Sequence, residues 1–175
     1  MKTVVGLFDR YQQADIAVHR LREAGFSDQQ ISVVARKEAI EGHLEEEPGE
    51  NVAESAAVSA IGGGVAGGII GLLVGLGAIA VPGIGLVFAA GTLATALGST
   101  AVGAGIGAAG GGLLGALISL GMEEEEAEVY AESVKRGGIL ILVHTEEDRD
   151  IDAATILTNA GAVDVDERRS QWEEE

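Results

Sequence analysis

Residues Ser55–Met122 read SAAVSAIGGGVAGGIIGLLVGLGAIAVPGIGLVFAAGTLATALGSTAVGAGIGAAGGGLLGALISLGM and are called the central run below. These 68 residues contain no Asp, Glu, Lys, Arg or His, and they hold 20 of the 27 glycines in the chain. Small residues recur at every fourth position in two series. The first is Ser55, Ser59, Gly63, Gly67, Gly71 and Gly75, and the second is Gly91, Thr95, Ser99, Gly103, Gly107, Gly111, Gly115 and Ser119. Because residues four apart share one face of a helix, each series predicts a smooth helical groove for close backbone packing, as in membrane helices.

A turn is predicted to divide the central run into two helices. Pro82 and Gly83 are adjacent, and this pair is typical of a turn that ends one helix before the next begins. The pattern predicts helices over residues 55–81 and 86–120, with lengths of roughly 40 Å and about 52 Å at the usual rise per residue. Together they form a predicted helical hairpin over residues 55–121, long enough to reach across a hydrocarbon layer of about 30 Å.

Eight glycines of the two series are predicted to carry helix packing and self-association. They are Gly63, Gly67, Gly71, Gly75, Gly103, Gly107, Gly111 and Gly115. In a water-exposed helix each glycine costs about 1 kcal/mol relative to alanine, so the eight together cost roughly as much as the stability of a whole domain. The predicted helices therefore need close partners along the glycines. A bilayer, or further copies of the chain, must also cover the bulky apolar side chains opposite them.

The segments on either side of the central run carry ordinary helix and strand patterns. Before it, Thr3–Phe8 and Ile31–Ala35 predict strands, and Tyr11–Ala24 predicts a helix between them. After it, Glu123–Arg136 predicts a helix, because acidic residues lie at its start and basic residues at its end. The remaining predictions are a strand at Ile139–Val143, a helix over about Glu146–Asn159 and a short strand at Val163–Glu167.

These elements predict an α+β protein. Without residues 36–136 their order is β-α-β followed by β-α-β, which is the order of a ferredoxin-like (split βαβ) domain. Its central strands are expected to be the two most apolar, those around Val4 and at Ile139–Val143. The inserted part is then the glycine-rich α-helical hairpin. The predicted units are a ferredoxin-like domain in 1–36 and 137–169, an acidic linker over 37–54, the hairpin over 55–121, a connecting helix over 122–136 and a tail over 170–175.

The chain is strongly acidic, with a net charge of −17 from 28 acidic and 11 basic residues. DNA and RNA phosphates repel such a surface, so nucleic acid is excluded as a partner. The absence of cysteine excludes disulfides and thiolate metal sites. Acidic residues also border the central run on both sides, and anionic lipid headgroups repel a border of that charge.

Three passages of the sequence carry a family resemblance. They are VVGLFDRYQQADIAVHRLREAGFSDQQISVVAR from Val4, VPGIGLVFAAGTLATAL from Val81 and GAAGGGLLGALISLGMEEEEAEVYAESVKRGGILILVHT from Gly107. The chain resembles a family of small bacterial and archaeal stress-induced proteins, labelled general stress, heat-induced or low-temperature-induced proteins. The resemblance implies stress-linked expression and membrane association. It implies no activity and no functional residue.

The sequence contains no motif that predicts catalysis or cofactor binding. Gly62–Gly67 and Gly110–Gly115 both satisfy G-x-G-x-x-G, but a dinucleotide site also needs a preceding strand and an acid about twenty residues further on. The central run contains no acid, so the pattern does not predict a dinucleotide site. The three histidines, His19, His43 and His144, share no metal-ligand spacing. The acidic residues that flank the central run could gather Ca²⁺ or Mg²⁺ loosely, but they are better interpreted as solvated surface. We therefore expect no enzyme activity, no cofactor, no metal and no small-molecule substrate.

Two interpretations of the function remain open at this point. In the first, the protein is stress-associated, anchors in or on a membrane, and self-associates through the hairpin while its ferredoxin-like domain faces the cytoplasm. Its partners are then the lipid bilayer and further copies of itself. In the second, the protein is a water-soluble cytoplasmic homo-oligomer, a scaffold or filament, whose hydrophobic arms pack into a shared core.

Overall fold

The computed structural model describes residues 2–44, 68–73, 79–81, 84–102, 112–146 and 148–173. These residues form an α+β fold, which confirms the predicted class. The strands are β1 (Lys2–Phe8), β2 (Ile31–Arg36), β3 (Ile79–Val81), β4 (Gly85–Ala90) and β5 (Ile139–Thr145). The helices are α1 (Tyr11–Glu23), α2 (Lys37–Leu44), α3 (Gly68–Leu73), α4 (Thr92–Val102), α5 (Leu113–Ser119), α6 (Glu124–Lys135), α7 (Asp150–Ala160) and α8 (Val165–Glu173).

The five strands form one sheet in the order β1-β5-β2-β4-β3, and every neighbouring pair is antiparallel. β5 therefore lies between β1 and β2, which run parallel to each other. The apolar sequence of β5 suits this interior position, because its residues Ile139 to Val143 are all buried. β1 lies at the edge of the sheet, so the prediction that it is a central strand is wrong. Beyond β1, the described residues supply one bridge, between Leu7 and Val163.

Each face of the sheet has its own hydrophobic core, because alternate strand residues point to opposite faces. On one face, here called the α1 face, Val33 packs with residues of α1, α2, α3 and α7. On the other, the α6 face, Val34 packs with residues of α4, α5 and α6. The central run contributes to both cores, since Ile69 of α3 lies on the α1 face and Leu93 of α4 lies on the α6 face.

The predicted helices of the central run are wrong at residues 79–81 and 86–90, which form β3 and part of β4. Strand β4 pairs with β2 on one side and with β3 on the other, so its backbone groups bond within the sheet. Val87 and Ala89 point to the α6 face while Phe88 points to the α1 face. A spacing of four is also a multiple of the two-residue strand period, so it places small residues on one face of a strand as well as of a helix.

The helices that do form in the described parts of the central run are short. Helices α3, α4 and α5 contain 6, 11 and 7 residues. Within the described ranges, no helix combines the length and the apolar character that crossing a membrane requires.

Pro82 and Gly83, the predicted turn, lie outside the described residues. On either side of them, Ile84 N donates a hydrogen bond to Val81 O at 3.1 Å, and Val81 pairs with Gly85. The chain on both sides of this position is therefore strand, and the prediction of a helix on each side is wrong.

The predicted acidic linker over 37–54 begins with a helix, α2. Ile40 is buried on the α1 face, and this burial stabilises the helix against the sheet. Lys37 Nζ lies 2.9 Å from Glu41 Oε1, one helical turn further on. The linker prediction overlooked Ile40 because charged residues precede and follow it.

The strand predicted at Val163–Glu167 is reduced to the single bridge at Val163. Helix α8 begins at Val165 instead and runs through most of the predicted tail. The reason is local: Asp164 Oδ1 accepts hydrogen bonds from the backbone N–H groups of Asp166 and Glu167, which is the geometry of a helix N-cap.

Candidate functional site

Two of the eight glycines predicted to carry helix packing lie within the described residues. Gly71 is in α3 and Gly115 is in α5. Helix α3 packs on the α1 face and α5 on the α6 face, so the sheet lies between these two helices and the structure does not bring Gly71 and Gly115 together. The other six glycines, Gly63, Gly67, Gly75, Gly103, Gly107 and Gly111, lie outside the described residues. The candidate site is therefore built from the contacts that hold the central run on the domain.

The first of these contacts, called the α1–α3 contact, joins the start of α3 to helix α1. Asp15 Oδ1 accepts a hydrogen bond from Ile69 N at 3.0 Å. Ile69 is fully buried, and Leu72 packs against the same core. The carboxylate thus satisfies a backbone donor that a helix start would otherwise leave unpaired.

Gly68 makes the α1–α3 contact possible. Its φ of +40° is a left-handed conformation that other residues adopt at a cost, and a Cβ built there would overlap Asp15 Oδ1. The same Cβ would lie 2.9 Å from His19 Cε1. Only glycine therefore allows the chain to pass this closely over α1.

His19 and Asp15 flank the contact on its solvent side. His19 Nδ1 lies 3.0 Å from the backbone O of Asp15 and 3.5 Å from Asp15 Oδ2. The two side chains are 39% and 28% exposed, so solvent screens their attraction. The contact is held mainly by the backbone hydrogen bond and by the burial of Ile69.

The second contact, called the sheet-end network, joins the start of α4 to three strands. Thr92 Oγ1 lies 2.6 Å from His144 Nε2 and 3.0 Å from Ser32 Oγ. Thr3 Oγ1 lies 3.3 Å from His144 Nδ1, and Leu93 N donates to Ser32 Oγ at 3.4 Å. One order that satisfies these groups runs from Leu93 N–H to Ser32, from Ser32 to Thr92, from Thr92 to His144 Nε2, and from His144 Nδ1–H to Thr3.

This order requires a neutral imidazole, and burial favours that state. Burial lowers the pKa of His144 below its usual value of 6.5 because the low-dielectric surroundings disfavour the charged ring. His144 Nε2 can then accept a hydrogen bond from the hydroxyl of Thr92. The network ties α4 to β1, β2 and β5 at one end of the sheet.

The Thr92–His144 distance also matches that of a nucleophile and its general base. A catalytic site would need further donors for the developing negative charge. At this helix start the N–H of Leu93 donates to Ser32 Oγ, and the N–H of Ala94 donates to Gly91 O. These two donors are occupied, so the arrangement serves attachment better than acyl transfer.

Gly91 places α4 on this network. Its φ is +71°, and a Cβ at this position would lie 2.5 Å from Ile31 O and 2.5 Å from Ser32 Oγ. In the sequence Gly91 looks like the first member of a helical series, but in the structure it is the turn between β4 and α4. The one sequence signal for the network is Ser32, a polar residue inside an otherwise apolar strand.

The histidines form no metal site with their neighbours in the described ranges, where no three His, Asp or Glu side chains lie close enough to share an ion. His144 is engaged on both ring nitrogens by threonine hydroxyls. The expectations of no metal, no cofactor and no enzyme activity stay predictions.

Comparison with known proteins adds one finding. Residues 3–81 match the family model described as the heat induced stress protein YflT domain. The match begins in β1 and ends with β3, so it includes α1, β2 and the α1–α3 contact. No curated protein and no solved structure matches the chain. This match, which covers less than half of the chain, supports the predicted resemblance to bacterial general stress proteins over residues 3–81.

Proposed function

We propose that this protein, with its heat induced stress domain, is non-enzymatic and self-associates in or on a membrane through the glycine-rich parts of its central run. The proposal is supported by composition: the sequence on both sides of α3 and after α4 is uncharged and rich in glycine. Helices that carry small residues at every fourth position pack closely with one another. The domain would then hold these segments at the cell's inner surface under stress.

The domain itself is proposed to be ferredoxin-like. Strands β1 and β2 are parallel with antiparallel β5 between them, and α1 and α7 both pack on the α1 face. Val163 bridges the outer side of β1, where a last strand of the split βαβ order would lie. Strands β4 and β3 extend this sheet beyond β2.

One observation carries the proposed membrane-surface role: for two of the glycine-rich segments, the described ends lie on one face of the sheet. Helices α2 and α3, which flank residues 45–67, both pack on the α1 face. Helices α4 and α5, which flank residues 103–111, both pack on the α6 face. A segment that leaves and returns on one side crosses a bilayer an even number of times or not at all. Residues 103–111 are also fewer than the roughly 20 that one helical crossing needs.

A second observation favours the water-soluble homo-oligomer. Side chains of the central run complete the core of the α6 face within one copy of the chain. The fully or almost fully buried ones are Leu93, Leu97, Leu113 and Leu117. Apolar surface that is already covered in the monomer no longer needs lipid. Under this alternative the glycine-rich segments pack against those of further copies.

Flotation of the purified full chain with vesicles separates the two candidates, when combined with sedimentation of the unbound fraction. We expect the wild-type chain to float and to be oligomeric. Gly67→Leu and Gly107→Leu should reduce oligomer formation and leave flotation intact, because they fill the packing groove but add apolar surface. The matched control is Ala154→Leu, which adds the same side chain at an exposed position of α7.

The possible outcomes are distinct. An oligomer that remains lipid-free and falls apart in the glycine variants establishes the soluble alternative. A wild-type chain that neither floats nor associates rules out both proposals. If Ala154→Leu reduces oligomer formation as much as the glycine variants do, the glycines have no specific role in self-association.

A further inference from the structure

Strand β1 exposes backbone hydrogen-bonding groups along its outer edge. In an antiparallel pair, successive residues turn their N–H and C=O alternately toward the partner strand and away from it. His144 N donates to Gln30 O on the β2 side at 2.8 Å, so His144 turns its backbone away from β1. Thr3 lies opposite His144 in the β1–β5 register. Thr3 therefore turns its own N–H and C=O away from β5, toward the outer edge.

A second hydrogen bond leads to the same assignment from the other end of β1. Val163 N donates to Leu7 O at 2.7 Å, across the outer edge. Val5 lies two residues from both Leu7 and Thr3, so its N–H and C=O also point outward. Among the described residues, no backbone group pairs with the outward groups of Thr3 and Val5.

Burial along β1 follows the same division. Gly6, Leu7 and Phe8 are buried, whereas Val4 and Val5 are only half-buried. Strands β5 and β2, inside the sheet, are buried along almost their whole length. The edge is thus covered at its Leu7 end and open over Thr3–Val5.

We propose that this open edge is an interface with a second copy of the chain, whose β1 adds antiparallel to β1 and joins the two sheets. Val163 occupies the position opposite Leu7, so pairing is confined to residues 2–6. The two-fold register centred on Val4 places Thr3 opposite Val5 of the partner subunit. This register uses every outward donor and acceptor of Thr3 and Val5 in both copies.

The side chains of β1 favour its own sequence as the partner. In this register Val4 meets Val4 of the partner subunit on the α1 face, and Val5 meets Thr3 of the partner subunit on the other. Such β-branched pairs suit a half-buried sheet surface. Lys2 lies opposite Gly6 of the partner subunit, so the two lysines do not face each other. Lys2 is also held by Asp150, with Nζ 2.7 Å from Oδ2.

Charge sets the conditions under which this dimer forms. Two copies with a net charge of −17 each repel one another in low salt. The hydrogen bonds and valine contacts at the edge depend little on salt. The dimer should therefore strengthen as salt is added, which is opposite to the behaviour of an interface held by ion pairs.

Cysteine cross-linking tests the register directly, because the chain has no cysteine of its own. The Val4 pair does not exchange backbone hydrogen bonds, so its Cβ atoms come within roughly 4.5–5.5 Å, close to disulfide geometry. We expect Val4→Cys in the full chain to form a disulfide-linked dimer with copper-phenanthroline as oxidant. The matched control is Ile16→Cys, which is 45% exposed and lies on helix α1, outside the proposed β1 pairing. Equal cross-linking of the two variants would overturn the proposal.

Sedimentation equilibrium of two further variants tests the hydrogen bonds and the contact. Val5→Pro removes an outward N–H that the β1–β5 pair does not use, and Val5→Lys places a charge at the edge without changing the backbone. Both should raise the dimer dissociation constant at least tenfold, whereas Ile16→Lys should leave it unchanged. Circular dichroism checks that each variant is folded. A wild-type chain that stays monomeric at high salt, or a folded Val5→Lys that dimerises normally, contradicts the proposal.

This interface is separate from the glycine-mediated association proposed above. Residues 2–6 lie outside the central run, so Gly67→Leu should leave the Val4→Cys cross-link intact. If the cross-link forms while the glycine variants behave like wild type, the edge interface stands and the glycine role fails. If the glycine variants lose association while the Val4→Cys cross-link does not form, the glycine role stands and the edge interface fails.

Discussion

Thr92 Oγ1 lies 2.6 Å from His144 Nε2, and this hydrogen bond joins the first residue of α4 to a strand 52 residues further along the chain. The same hydroxyl lies 3.0 Å from Ser32 Oγ, so it connects two neighbouring strands through one helix start. The stability of the sheet-end network should therefore depend on Thr92 more than on any other hydroxyl of this network.

Replacing Thr92 with valine should destabilise the fold by about 1–3 kcal/mol. The change preserves the shape of the side chain but leaves the hydroxyl hydrogen of Ser32 and the Nε2 of His144 without their partner, and a buried unsatisfied group is costly. Urea unfolding measures the difference. The matched control is Thr155→Val, because the hydroxyl of Thr155 is exposed and donates to Ile151 O within its own helix. Equal stabilities of the two variants would show that the network contributes nothing.

The stability of the protein should fall as the pH is lowered through the range of His144. Burial lowers the pKa of His144 in the folded state below its usual value of 6.5. Below about pH 6.5 the unfolded chain therefore binds a proton that the folded chain resists. The free energy of unfolding decreases as the pH falls. Protonation also converts Nε2 from an acceptor into a donor toward Thr92.

Urea unfolding of wild type and His144→Gln between about pH 7.5 and about pH 5.5 checks this expectation. The variant should lose less stability than wild type over this range, because one titrating group is gone. His19→Gln serves as the control, since His19 lies in the α1–α3 contact on the solvent side. The expectation is contradicted when wild type and His144→Gln lose stability in parallel.

Gly91→Ala should be more damaging than Gly25→Ala, although both glycines have positive φ. At Gly91 the backbone strain is combined with overlap, because a Cβ would lie 2.5 Å from Ile31 O. We expect a loss of at least about 2 kcal/mol. Gly25→Ala is the matched control, because Gly25 has a φ of +87° but open space around the added Cβ. It should cost only the conformational part, about 1–2 kcal/mol. Thermal unfolding of both variants would reveal equal losses if the close approach at Gly91 were unimportant.

Much of the domain outside the central run could be predicted from the sequence. The helix predicted at Tyr11–Ala24 corresponds to α1, and the continuous apolar run at Ile139–Val143 corresponds to β5. These segments have a clear period and clear ends, and their own residues determine their structure. Helix α8 was not predicted, because its start depends on one capping residue, Asp164.

The central run could not be predicted to the same extent, because its residues differ so little from one another. Glycine, alanine and valine fit a four-residue helical repeat and a two-residue strand repeat equally well, and pairing with β2 decides between them at β4. The sheet-end network was invisible for another reason. Its members Ser32, Thr92 and His144 are far apart in the chain, and no local pattern links them.

The α1–α3 contact should depend on the acceptor at position 15 more than on its charge. Asp15→Ala removes the acceptor of Ile69 N, and losing a helix cap of this kind costs about 0.5–2 kcal/mol. Asp15→Asn retains an oxygen at the same place and should lose much less. Because α3 has only 6 residues, the effect should be local: amide hydrogen exchange at Ile69 should accelerate in Asp15→Ala, while exchange at Leu142 in the sheet stays slow. Similar acceleration in both variants would assign the contact to the charge of Asp15, and no acceleration in either would mean that burial of Ile69 alone holds α3 on the α1 face.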